Sequence, residues 1–443
     1  MVIGGQYFHW NEGMAAGFGN FFIASVITAI GYICLCFCIA EMTSILPFSG
    51  GAYGFSRVTV SIFGGYIVGC CEAMEYVLYV TASMFVLGKM TSFFLGLPNT
   101  YEPLFWLLFY ILAIGIQLQG GRVFWRTNAI LSVVSVLVIC MYCLACIPLM
   151  DFNDNASLGG DGSHDPWFGG RDGFSFMHVL PLASWFFVGI EAVPLAGQET
   201  HEPKVAMPKG IILCVLTMTL TSLAVVCCTA AVGPSPGDIA DTLSPLAHGF
   251  STAFGIAERY VYILVVPAMF ATCYGFLFAC GRQVCAMAES GLFPNFLRAT
   301  VPSRGTPYMA LVVSSLIGYG FLLITWQHPW LEVVLFHICI TGSYVTYLAS
   351  FCSFISFRLF YPGLDKKYTY RSPFGLAGAC LGILIFTLCI ISVAAFQKDE
   401  GLSIFFFVGF ILVCSAFYLL YARHNQRFSP MEKSVMMIAH VLK

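Results

Sequence analysis

The chain has 443 residues, of which 59% are hydrophobic and only 9% charged, with a formal net charge of −2. A soluble domain carries about 25% charged residues, so this composition excludes a soluble enzyme or binding module and assigns an all-α polytopic membrane protein. No basic stripe and no phosphate-cradling Gly loop followed by Lys is present, which excludes nucleic acid and nucleotide hydrolysis.

In chain order, residues 1–19 (MVIGGQYFHWNEGMAAGFG) form a poor spanning helix, because Gly4, Gly5, Gln6, Asn11 and Glu12 interrupt it. They read as the second half of a broken helix, with the break at Gly4 and Gly5. The expectation is that the natural chain continues upstream with about ten apolar residues completing that helix, preceded by a polar cytoplasmic tail. No cleavable signal peptide is evident. Apolar segments follow at 20–40, 62–87, 104–118, 130–149, 176–195, 211–232, 261–287, 309–324, 331–357, 376–395 and 404–421. Each is near the ~20 residues a crossing requires. The expectation is eleven spans plus the N-terminal fragment, twelve with its missing half.

The fifth of these segments is the most informative. It starts as an apolar helix at Ser184, then places Gly189, Glu191 and Pro194 within six residues, and runs out through Gln198, Glu199, Thr200, His201, Glu202, Pro203 and Pro208. Its flanks are long enough to span a bilayer, so the break lies in the hydrocarbon. There a helix gives up its hydrogen-bond ladder only where the freed groups face protein or a water-filled cavity. Glu191 adds an ionisable group at the same depth, a functional candidate by default. The simpler reading is a Pro/Gly kink with Glu191 bonded to a neighbouring helix.

Polar groups sort by side. Taking alternate connections together puts sixteen of the twenty Lys and Arg on one side, among them Arg57, Arg122, Lys204, Arg282, Lys366, Lys367 and Arg427; Lys89, Arg171, Arg259 and Lys398 are on the other. The positive-inside rule then places the first side and the C-terminus in the cytoplasm. The acidic loop 151–172 is outside, with an Asn155-Ala156-Ser157 sequon. The tail 429–443 is a short amphipathic stretch that lies on the membrane or packs below the bundle. All nine Asp fall in polar connections and the nine His are scattered, which argues against intramembrane aspartyl or metal hydrolysis. Every cysteine sits in an apolar run. Cys140, Cys143 and Cys146 have ligand-like spacing but no His or carboxylate beside them, so they read as small buried hydrophobes. No metal and no cofactor is expected.

Interrupted segments at the start and at 189–194, five spans apart, point to an inverted-repeat transporter with its site at the midplane. The second half begins near Phe176 and faces the other way.

Three motifs carry a resemblance. Pro47-Phe48-Ser49-Gly50-Gly51-Ala52-Tyr53 is similar to a Pro-x-x-Gly-Gly-x-Tyr loop after the second helix. Phe187-Val188-Gly189-Ile190-Glu191, with Gln198-Glu199, Pro203-Lys204 and Pro208-Lys209-Gly210-Ile211, is similar to a sixth-helix signature. Gly281-Arg282 through Ala288-Glu289-Ser290-Gly291-Leu292-Phe293-Pro294 is similar to the stretch closing an eighth helix. In this order they resemble the amino acid–polyamine–organocation permease superfamily over essentially the whole chain. Within it, Gly5-Gln6-Tyr7-Phe8-His9-Trp10-Asn11 and Glu75-Tyr76-Val77-Leu78 resemble ethanolamine permeases, with Gln6 where Asp is usual and His9 where Gly is usual.

The resemblance implies a LeuT-type fold: a five-plus-five inverted-repeat core over 1–358, two peripheral helices over 359–422 and a cytoplasmic tail over 423–443. It implies alternating-access transport of an amino acid or small ethanolamine-like amine through a lipid bilayer, the plasma membrane. Gly4, Gly5 and Gln6 would form one wall of the site and Phe187, Gly189 and Glu191 the other, with Phe187 as gate. Helix 3 abuts the broken helices in that fold, and Glu75 falls about 20 Å above its cytoplasmic start. Glu75 is therefore the expected counter-charge for a substrate ammonium and Glu191 the second choice; the alternative is that Glu75 only braces the bundle. The coupling ion, H+ or Na+, stays open: residues 127–148 hold no Lys, and Thr272 is the one non-tyrosine hydroxyl in 261–279. His178 and His337 read as satisfied structural histidines rather than relays. A non-transporting relative, receptor or assembly subunit, is the rival function.

Overall fold

Ten helices among the described residues are long and apolar enough to cross a membrane. The structure, a computed structural model, describes residues 2–46, 50–158, 167–169, 174–360, 370–428 and 432–433. Pro47, Phe48 and Ser49 of the loop motif lie outside the described residues, as do Asp161, Asp165, Arg171 and Asp172 of the acidic loop, Lys366, Lys367 and most of the 429–443 tail. The helices are α1 (Phe18–Ile45), α2 (Gly51–Thr59), α3 (Ile62–Leu95), α4 (Glu102–Gln119), α5 (Gly121–Cys146), α6 (Phe152–Asn155), α7 (Phe174–Ser184), α8 (Pro203–Val232), α9 (Pro236–Ala240), α10 (Ala247–Phe254), α11 (Glu258–Glu289), α12 (Tyr308–Gln327), α13 (Leu331–Phe360), α14 (Gly375–Ala395) and α15 (Leu402–Phe417). Local sequence sets their ends. Ser61 caps α3 by accepting from the Gly64 N–H at 2.9 Å, and α3 stops at Gly96 in the left-handed region.

Packing follows the expected repeat. α1 lies along α8, α3 along α11 and α4 along α12, so each pairs with the helix five crossings later. α2 follows the first pair member and α9 and α10 follow its counterpart, as a two-fold axis in the membrane plane would generate. Small residues let the backbones close in. A Cβ on Gly342 of α13 would stand 2.8 Å from Met74 and 3.4 Å from the Cys71 carbonyl oxygen of α3. α15 is outermost and turns Phe405, Leu412 and Val413 outward, the apolar surface a bilayer requires. The chain is thus an all-α, multi-pass integral membrane protein.

Both interrupted segments are present; the first break falls after Gly4 and Gly5, and the second includes 189–194 but begins upstream of it. In the first, Gly4 and Gly5 lie inside a 3-10 turn, Val2–Gln6, and the chain leaves helical geometry at Tyr7, Phe8 and His9, where His9 has φ 68°. The glycines serve close approach instead of the break. A Cβ on Gly4 would sit 1.6 Å from Thr272 Oγ1, and one on Gly5 2.4 Å from the Trp185 carbonyl oxygen. In the second, α7 ends at Ser184, five residues before Gly189, and turns lead to a 3-10 helix at Ile190–Glu199 that holds Glu191 and Pro194. The earlier loss has a local cause. Pro181 lies inside α7 and has no N–H for the Met177 carbonyl, so Ser392 of α14 donates its hydroxyl there. Gly189, at φ 86°, then leads into that 3-10 helix in the left-handed region.

Two ion pairs fasten the end of the bundle that carries most of the arginines. Glu41, fully buried, accepts from Arg358 Nε at 2.8 Å and Nη2 at 2.6 Å, and from the Ser372 N–H at 2.7 Å. Arg57, 1% exposed, donates to Glu432 at 3.1 Å and to the Arg427 carbonyl at 2.9 Å, drawing the chain beyond α15 back under α2.

Candidate functional site

Helix α3 serves as a ruler through the site, at 1.5 Å per residue. From the arginine-rich end outward it presents Glu72, Glu75 and Tyr76, Tyr79, Val86 and Lys89. Glu72 has a structural assignment. Its Oε2 accepts from the Tyr53 N–H, in the first turn of α2, at 3.3 Å and from Gln283 Nε2 at 2.7 Å. It caps α2 and joins it to α11.

Glu75 and Glu191 have no such assignment. They are 0% and 1% exposed, and none of their four carboxyl oxygens has a hydrogen-bond partner among the described residues. The two carboxyls adjoin each other, with Ser343 beside Glu75 and the hydroxyls of Tyr76 and Tyr347 beside Glu191. The hydroxyls of Tyr32, Tyr76, Tyr79 and Tyr344 are likewise buried and unpartnered. Buried polar atoms are nearly always satisfied, by protein or by something bound, and a buried carboxylate costs several kcal/mol without a cation or donors. This concentration of unmet groups around two acids is the strongest chemical signal in the molecule.

The unwound segments enclose it. The Gly189 N–H donates to Tyr347 Oη at 3.2 Å, and a Cβ on Gly189 would stand 2.0 Å from the Phe276 ring. One turn outward from Glu75, Tyr79 stacks on Trp185 at 4.4 Å and meets Phe276 at 4.1 Å. Phe8 and Phe336 meet Trp185 at 5.4 and 5.0 Å, and His9 at 5.6 Å. Beyond this aromatic layer lies a vestibule of about 480 Å³ lined by His9, Asn11, Glu12, Lys89, Asp241 and Glu332, among others. Asn11 gives its side-chain amide to the carbonyls of Ile239, Ala240 and Thr242 at 2.9–3.2 Å, so α9 is fixed over the N-terminal segment. At the opposite end, Glu199 accepts from Trp125 Nε1 at 2.7 Å and pairs with Arg282, which ties the 3-10 helix to α5 and α11.

Of the residues expected in the site, Glu75, Gly189 and Glu191 come together. Gly5 packs against the second break at the Trp185 carbonyl, and Gly4 against Thr272 of α11. The Gln6 amide donates to Thr221 at 2.7 Å and the Met218 carbonyl at 3.3 Å on α8, while its Oε1 is buried without a partner among the described residues. Phe187 stacks on Tyr32 at 5.0 Å, and Tyr32 meets Tyr347 edge-on at 5.3 Å. Sequence reasoning passed over Tyr76, Tyr79, Trp185, Phe276 and Tyr347. Glu72, Tyr76 and Tyr79, at i, i+4 and i+7, form a polar stripe on an otherwise apolar helix, and that spacing was the available signal. His337 pairs with Asp399 at 3.2 Å. The sequon nitrogen, Asn155 Nδ2, donates to the Ala231 carbonyl at the end of α8 at 2.9 Å.

Comparison with known proteins agrees with this architecture. The profile of the family described as amino acid permease matches residues 11–433. An S-adenosylmethionine permease of Candida albicans is 23% identical over 85% of this chain and 63% of its own length. An amino-acid permease of the same organism is 25% identical over 83% and 66%, and a methylthioribose transporter of Bacillus subtilis is 25% identical over 93% and 88%. The chain therefore spans slightly less than two thirds of the first two relatives. With the profile covering nearly its whole length, the chain belongs to the amino acid permease family.

Proposed function

We propose that the protein is a secondary transporter that carries an amino acid or a small amine across the plasma membrane by alternating access. The observation that carries this reading is the pair of buried, unpartnered carboxyls, Glu75 and Glu191, between two helix breaks. A substrate ammonium supplies one positive charge and the N–H donors that the oxygens lack. Two adjacent buried carboxylates call for two positive charges, so a second cation accompanies a monocationic substrate; with Thr272 the one non-tyrosine hydroxyl in 261–279 to serve a Na+ ion, a proton is the better fit. Backbone groups freed at 7–9 and 185–189 receive the polar remainder of the substrate without added charge. Trp185, Tyr79 and Phe336 serve as the outer gate, and the Glu199–Arg282 pair, with Trp125, as the inner one. Names of relatives support the substrate class, since they include permeases for amino acids and for S-adenosylmethionine. The arginine-rich end and the C-terminus face the cytoplasm.

The test is uptake by the purified chain in proteoliposomes, across radiolabelled amino acids and ethanolamine, with a pH indicator inside. Uptake of an amine with internal acidification, absent in Glu75→Gln, is the expected result. Robust uptake by Glu75→Gln would remove the pair from the mechanism, and no uptake of any probe by folded protein would favour a receptor or assembly role.

A further inference from the structure

A second charged cavity lies apart from the carboxylate site, at the arginine-rich end. It measures about 810 Å³, and Arg122, Arg126, Arg282, Arg304, Trp125 and Glu199 line it. Four guanidiniums here face one carboxylate, and Glu199 is already engaged by Arg282 and Trp125. Arg304 spends one N–H on the Leu118 carbonyl at 2.9 Å. Arg122 and Arg126 are exposed and make no ion pair or hydrogen bond with the other described residues. They stand one turn apart on the same face of α5, and like charges at that spacing disfavour a helix. Core packing does not account for them, because both side chains are outside the core. What the cleft lacks is an anion.

We propose that this cleft binds a phosphate group, presented by a lipid headgroup of the adjoining leaflet or by a soluble phosphate compound. Guanidinium forks match phosphate oxygens two by two, and basic pockets between spanning helices on the cytoplasmic side are suited to phosphorylated headgroups. Occupation has a consequence for the neighbouring gate. Arg282 belongs to both, so a phosphate in the cleft competes with Glu199 for it and loosens the tie between the 3-10 helix 190–199 and α11. The ligand thereby favours opening toward the arginine-rich end. Only this last consequence rests on the transport reading; binding itself does not.

Binding is measured on the full-length protein with two probes at physiological ionic strength. One is inorganic pyrophosphate; the other is phosphatidylcholine vesicles with or without phosphatidylinositol phosphate. Wild-type protein is expected to bind at least one, and the double variant Arg122→Gln/Arg126→Gln to bind it roughly tenfold more weakly or worse. A response to the vesicles alone identifies a lipid headgroup, and a response to pyrophosphate a free phosphate. Failure of both probes on wild type, or unchanged binding by the double variant, overturns the proposal. Should the double variant not fold, Arg304→Gln takes its place under the same criteria. Amine binding measured in the same samples reports on Glu75 and Glu191 separately, so loss of one reading is distinguishable from loss of the other.

Discussion

At the scale of single residues, the sequence made the acids visible but not what surrounds them. Glu72, Glu75 and Glu191 stand out in apolar runs without any structure. That one oxygen of Glu72 is taken up in capping α2, while Glu75 and Glu191 keep four free oxygens, depends on contacts between helices far apart in the chain. Gly189 was legible as a break residue, yet its second role was not. Its φ of 86° and the Phe276 ring 2.0 Å from any Cβ restrict the position twice. Gly189→Ala should cost about 2–4 kcal/mol from backbone strain and overpacking, read as a lowered melting temperature together with loss of uptake. Glu41 was not singled out at all, since a carboxylate near a span end looks ordinary. Buried and paired with Arg358, it makes Glu41→Gln expensive: about 3 kcal/mol of stability, measured by thermal unfolding, with the substrate affinity of the surviving folded fraction unchanged.

Helices and their breaks were legible as periodicity and punctuation, within limits of position. The span at 176–195 was expected to break at Gly189, because Gly and Pro there are the strongest local signals. The break starts after Ser184 because Pro181, inside α7, has already weakened the ladder upstream. Its orphaned acceptor, the Met177 carbonyl, is rescued from α14 by Ser392, a contact that no local pattern announces. Ser392→Ala should therefore cost about 1 kcal/mol and increase hydrogen exchange of the amides in 177–184, while Ser415→Ala, on the outer helix, should change neither. The connection between α14 and α15 gives a pH prediction. Burial opposes the Asp399 carboxylate, but hydrogen bonds from Ser403, His337 and the Gly401 N–H hold it below the usual carboxylate range. A lowered folded pKa stabilises above the unfolded value of about 4 and is lost as pH falls through the folded one. Asp399→Asn should thus lower the melting temperature at neutral pH, and the gap from wild type should close only in acid.

For the molecule as a whole, composition and the distribution of Lys and Arg carried most of the information. The all-α multi-pass class and the spacing of interrupted segments follow from hydropathy and Gly/Pro positions alone, because a bilayer leaves few alternatives. What the pattern left out was the pairing of α1 with α8 and α3 with α11, and with it the enclosure of Glu75 by Tyr347 and Glu191. Sidedness is tested by accessibility: cysteine reporters placed at Asp154 should react from outside intact cells, and reporters at Gly305 only after permeabilisation. The reverse labelling would invert both gates. The central claim is that Glu75 and Glu191 hold a substrate ammonium, and equilibrium binding to the purified protein addresses it most directly. Affinities for ethanolamine and for a panel of amino acids would be compared in wild type, Glu75→Gln and Glu191→Gln, each alongside its melting temperature. The account predicts at least a tenfold loss of affinity in either variant, with the folded fraction nearly intact. Unchanged affinity in both, with the protein folded, would contradict it.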